Sequence, residues 1–252
     1  MSSILASLDV ANDAAPEIDS VGGSGPWESG LYHTKVAMAF LRKAASGAMG
    51  LHLHLTDIDS GRELRQVVYI SSGDAKGNKT YYEKDGQRRN LPGFSLFRSL
   101  TLMTAGKEPT TMETEDKVVS VYSPEAKAEV PTTVPVLTDL LGKEILAGVL
   151  RQIEDKNVKN DAGVYVPSGE TRENNEIDKF FHVDTRLTVA EAQGGATEGK
   201  FIDTWVEKNT GQVRDRTTKT PAAGAPAGAQ SSVFSGAAAP AQTPKPAASL
   251  FG

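Results

Sequence analysis

Residues 51–70 read LHLHLTDIDSGRELRQVVYI, and the fold class turns on this stretch. Leu51, Leu53 and Leu55 alternate with His52 and His54, a period of two that sets three leucines on one face of a strand and two imidazoles on the other. The turn residues DIDSG follow at 57–61. Beyond them Leu64, Gln66, Val68 and Ile70 alternate with Arg65, Val67 and Tyr69, so a second half-buried strand returns beside the first. Upstream, residues 31–41 are rich in β-branched, aromatic and alternating apolar residues, and 43–50 read as a turn. Three strands with short connections predict an antiparallel meander.

Downstream the chain changes character. Residues 73–98, GDAKGNKTYYEKDGQRRNLPGFSLFR, set Lys76, Lys79, Lys84, Arg88, Arg89 and Arg98 against Asp74, Glu83 and Asp85, interleaved with Tyr81, Tyr82, Phe94 and Phe97. The whole chain carries a formal charge of −5, so this stretch is a local exception. Asp85-Gly86 is a strong hairpin turn, which predicts a β-hairpin arm. Cations for phosphates and flat rings for unstacked bases are what single-stranded nucleic acid requires. Lys76, Lys79, Lys84, Arg88 and Arg89 are expected to contact phosphates, and Tyr69, Tyr81 and Tyr82 to stack on bases. Arg65, His52 and His54 are placed to continue that surface. The start of the stretch resembles a phosphate-binding P-loop, but its glycines are too close, Asn78 precedes Lys79, and a hairpin follows instead of a helix.

The remaining pattern is consistent with a small β domain. Ser95 is expected to cap a short helix presenting Leu96, Phe97, Leu100 and Met103, with Gly106 just past its end. Strands are predicted at 117–122, 143–154 and 177–183, a helical turn or two at 136–141, and loops around 107–116, 123–135 and 155–175. Residues 197–208 predict an amphipathic helix with Phe201, Ile202, Trp205 and Val206 toward the core. The expected fold is mainly β, an OB-fold-like, partly open antiparallel barrel with an elaborated hairpin and a few short helices.

Composition divides the chain into 1–24, an acidic flexible segment with Asp9, Asp13, Glu17 and Asp19; 25–210, the binding domain; and 211–252, an Ala/Pro-rich tail expected to be disordered. There is no cysteine, which excludes disulfides and thiolate metal sites. No signal peptide or membrane-spanning stretch is expected. His52 and His54 have the spacing of a metal pair, but only His33 and His182 remain as imidazole partners, so no metal, cofactor or catalytic group is expected. In the tail, Gln230, Val233 and Phe234, and again Ser249, Leu250 and Phe251, form Ser-aliphatic-Phe peptides similar to the pentapeptide that docks into bacterial sliding clamps.

With these residues placed, the segments GPWESGLY, GAMGLHLHL, RQVVYISSGDAKGNKTYY, LPGF, LLGKEI and GETRENNEIDKFF resemble bacteriophage single-stranded DNA-binding proteins of the OB-fold type, over about residues 25–208. The resemblance implies a non-catalytic protein that coats single-stranded DNA without sequence preference. It also implies DNA replication and recombination as the setting, and the cytoplasm of an infected bacterium as the place. The neutral tail departs from the acidic tail common in such proteins. The alternative expectation is a protein-interaction adaptor of the replication machinery that uses the tail as its hook; self-association is left open under either.

Overall fold

The computed structural model describes residues 25–123, 125–161 and 165–218. The acidic N-terminal residues, Pro124, the centre of the DAGVY turn and both tail peptides (Gln230, Val233, Phe234; Ser249, Leu250, Phe251) lie outside the described residues. Contacts divide the chain after Thr217, and the fold below belongs to the first unit.

The expected meander is present as β1 (Gly30–Lys43), β2 (Met49–Asp57) and β3 (Glu63–Tyr69), paired antiparallel in sequence. Leu51, Leu53, Leu55, Leu64 and Val68 point into the core with Val36 and Ala39, as the two-residue period requires. β4 (Tyr81–Lys84) and β5 (Gln87–Asn90) form a separate two-stranded sheet. Their turn residues, Asp85 (φ 53°) and Gly86 (φ 71°), have the left-handed conformation of a type I′ turn, which matches the twist of the strands it joins.

Helix α1 (Pro92–Ala105) covers the inner face of the curved sheet with Phe97 and Leu100. It starts earlier than expected: Pro92 occupies the first turn, where its missing N–H costs nothing, and Leu91 stands at the N-cap without a side-chain bond. Ser95 is therefore an interior residue and not the cap. Gly106 (φ 67°) closes the helix as expected, its N–H donating to the Leu102 carbonyl.

β6 (Glu115–Ser123) pairs with β7 (Ala128–Val136), a strand where a loop was expected. Pro131 and Pro135 conceal it in the sequence. Beyond β6, β7 pairs only at Val136, with Phe40 of β1, so most of its outer edge is free and tolerates prolines. β8 (Glu144–Lys159) and β9 (Tyr165–Phe181) form a long hairpin that absorbs most of the polar run 155–175, also expected as loop. That run is exposed on both faces, so it lacks the apolar alternation by which a strand is recognised. α2 (Val189–Gln193), α3 (Phe201–Asn209) and β10 (Val213–Asp215) complete the described chain.

The main sheet has the order β10-β8-β1-β2-β3, with β9 on the other edge of β8. β1 and β10 follow one another along one edge of β8, and the β10 pairing is parallel. The sheet is not closed into a barrel by its ladder. Between β3 and β9 one side-chain bond crosses the seam: the Ile177 N–H donates to Gln66 Oε1 at 2.7 Å. Outside the sheet, Ile202 and Trp205 of α3 pack on Leu150 and Phe181. Trp205 lies over Gly148 and donates its indole N–H to Asp178 Oδ2 at 2.7 Å. Phe201, expected in the core, is 42% exposed. Among the described residues no helix is long and apolar enough to cross a membrane.

Candidate nucleic-acid interface

The outer face of β1–β3 is built by register. Phe40 lies opposite His52, Met38 opposite His54, His52 opposite Val67, His54 opposite Arg65, and Gly50 opposite Tyr69. His52, His54, Arg65 and Tyr69 therefore share one surface, as the sequence pattern predicts. The imidazoles are only partly exposed, however. His52 stacks on Phe40 at 4.6 Å between ring centroids, and His54 meets the same ring edge-on at 6.1 Å. Burial, then Arg42, then His54 hold the His52 pKa below the usual imidazole value. Burial, then Arg65, do the same for His54 against the opposing pull of Glu63 and Glu129.

The β6–β7 hairpin crosses this surface. Val121, Val134 and Val136 bury Phe40, and Met38 and Val119 pack beside them. At the hairpin's far end Tyr122 enters a concavity of about 290 Å³ with Tyr69, Val67, His52, Gly50, Arg42 and Lys43. Tyr69 is 55% and Tyr122 57% exposed, a large aromatic area left to solvent at one place. Gly50 keeps the floor low: a Cβ there would come within 3.1 Å of Val67 Cγ1. The sequence reading does not single out Tyr122, Arg42 or Lys43: the β1–β2–β3 register sets Arg42 across Gly50 from Tyr69, and only the long-range crossing of β6 brings Tyr122 to them.

The basic hairpin forms a second concavity, lined by Ser72, Lys76, Lys79, Tyr81, Tyr82, Glu83 and Leu91, of about 310 Å³. Here the two tyrosines separate in role. Arg88 lies over the Tyr81 ring at 4.9 Å and Lys79 at 5.7 Å, so this ring already holds two cations. Tyr82 is 42% exposed and opposite Arg89 in the ladder. Lys84 and Arg89 are exposed on β4 and β5, and Arg88 lies 3.5 Å from Glu83.

The 71–79 loop links the two concavities but does not merge them. Asp74 N–H donates to the Ser46 carbonyl at 3.0 Å, the Asp74 carboxylate lies 3.4 Å from Lys43 Nζ, and Met49 N–H donates to Ser71 Oγ at 2.9 Å. The short 3-10 turn Asp74–Lys76 leads through Asn78 (φ 51°), whose amide bonds Asp74, straight into β4. No helix follows, so the P-loop geometry is absent from the loop itself.

Among the described residues no group of three or more His, Asp or Glu is placed to hold a metal ion. His33 instead pairs with Glu144 at 2.9 Å. No family model matches the chain, and no curated protein matches it either.

Proposed function

We propose that the chain is a non-catalytic, sequence-tolerant single-stranded DNA-binding protein with an OB-fold-like core, acting in phage DNA replication and recombination. The observation that carries this reading is the pairing of exposed rings with cations in two linked concavities. Tyr69 and Tyr122 stand beside Arg42 and Lys43; Tyr82 stands beside Lys76 and Lys79. Each base–aromatic stack contributes roughly 1–3 kcal/mol and each phosphate contact adds salt dependence, a combination that reads no particular sequence. In this arrangement Tyr81 positions Lys79 and Arg88, while Tyr69, Tyr82 and Tyr122 contact bases.

The test is an anisotropy titration of labelled oligo-dT with the full chain at several salt concentrations. Affinity is expected to fall linearly on a log–log plot, by about 0.7 in slope per phosphate contacted. Replacing Tyr82 by Ala together with Arg88 and Arg89 by Glu is expected to weaken binding at least tenfold without lowering the thermal midpoint, since β4–β5 is its own sheet. No binding by the unaltered chain at low salt overturns the reading and leaves the adaptor role.

A further inference from the structure

Resting on the nucleic-acid reading above, we propose that Glu129 acts as a phosphate surrogate. The β6–β7 hairpin holds its carboxylate on the Arg65 guanidinium, and single-stranded DNA gains Arg65 only by displacing it.

Arg65 lies on the face expected to contact DNA, yet its fork is occupied. Nη1 donates to Glu129 Oε1 at 3.0 Å and Nη2 to Glu63 Oε2 at 3.2 Å. A carboxylate offers the paired oxygens that a phosphate offers, so the two compete for the same donors. Glu63 is a local neighbour on β3. Glu129 is different, because a separate element delivers it from across the fold. That element shares one ladder position with the main sheet, Phe40 with Val136, and is otherwise held by the valine contacts on Phe40.

The end of the hairpin that carries Glu129 also carries Tyr122, its partner across the β6–β7 ladder. One end of one ribbon thus removes a cation from the face and adds a ring to the adjoining concavity. The Arg65 and Glu129 side chains are 55% and 51% exposed, so the exchange uncovers no buried charge. An exposed pair of this kind is weak enough for a polyanion to replace. The strap then governs how much positive charge the face presents, and a strand that binds must move a carboxylate before it meets Arg65.

The experiment is a double-mutant cycle on oligo-dT affinity at low salt with the full chain, using Glu129→Gln, Arg65→Gln and the pair. Glu129→Gln is expected to bind about three-fold or more tighter, with a salt slope steeper by about 0.7, one further phosphate contact. That gain should vanish in the Arg65→Gln background. Glu125→Gln, at the exposed turn of the same hairpin, removes the same charge without touching Arg65 and should give a smaller gain. Equal or weaker binding by Glu129→Gln, or a gain that persists without Arg65, overturns the proposal while the DNA-binding reading stands. Failure of the unaltered chain to bind oligo-dT overturns that reading, and the strap with it.

Discussion

His52 and His54 show how one residue type, placed by a two-residue period, acquires a role the period does not state. Half-buried against Phe40, one stacked and one edge-on, both are held below the ordinary imidazole pKa of about 6.5, by burial first. Between the folded and unfolded values the unfolded chain binds more protons. Their contribution to stability is therefore complete above about pH 6.5 and is lost as pH falls through the folded values. The urea midpoint should fall between pH 7.5 and 5.5, and fall less in a His52→Gln/His54→Gln chain; equal falls would remove the histidines from the explanation. Glu191 gives a second titration. Burial would raise its pKa, but backbone N–H groups of Thr188, Phe201 and Lys200 donate to it and hold it down at about 2. This carboxylate completes the capping box of α2 and also receives the first N–H groups of α3. Glu191→Ala should cost about 1–2 kcal/mol at pH 7 in denaturant unfolding. In the unaltered chain the same stability is present above about pH 4.5 and lost as pH falls toward 2.

At the scale of elements, what was legible in the sequence were those whose burial has a period. The leucine alternation of β2, the Leu64-to-Ile70 alternation of β3 and the Asp85-Gly86 turn are local, and each appears where expected. β7 and the outer halves of β8 and β9 were not legible, for a physical reason: they bury little, so nothing selects an apolar rhythm, and Pro131 and Pro135 imitate a loop. The candidate site divides in the same way. Arg65, Tyr69 and the histidines follow from strand parity, whereas Tyr122 reaches Tyr69 only because β6–β7 crosses the face. That Arg88 and Lys79 lie over the Tyr81 ring was not legible either, because it depends on how the hairpin twists.

For the whole molecule, α3 matters as much as the sheet it rests on. Gly148 faces Trp205 so closely that a Cβ would sit 2.8 Å from the indole. Gly148→Ala is expected to lower stability by about 1–3 kcal/mol through overpacking, with near-ultraviolet circular dichroism reporting the displaced tryptophan. A thermal midpoint equal to that of the unaltered chain would show that α3 rides freely on β8. The seam between β3 and β9 carries a different consequence. In a closed cylinder of strands, number and shear fix the radius; here the circumference ends at Gln66 and resumes at Ile177, bridged by one hydrogen bond from the Ile177 N–H to the Gln66 side chain. The cross-section behaves as a clip instead of a ring. No ladder has to be unzipped for the seam to part, so what sets the width is the packing that Leu64, Val68, Ile177 and Phe180 share with Phe97 and Leu100 of α1.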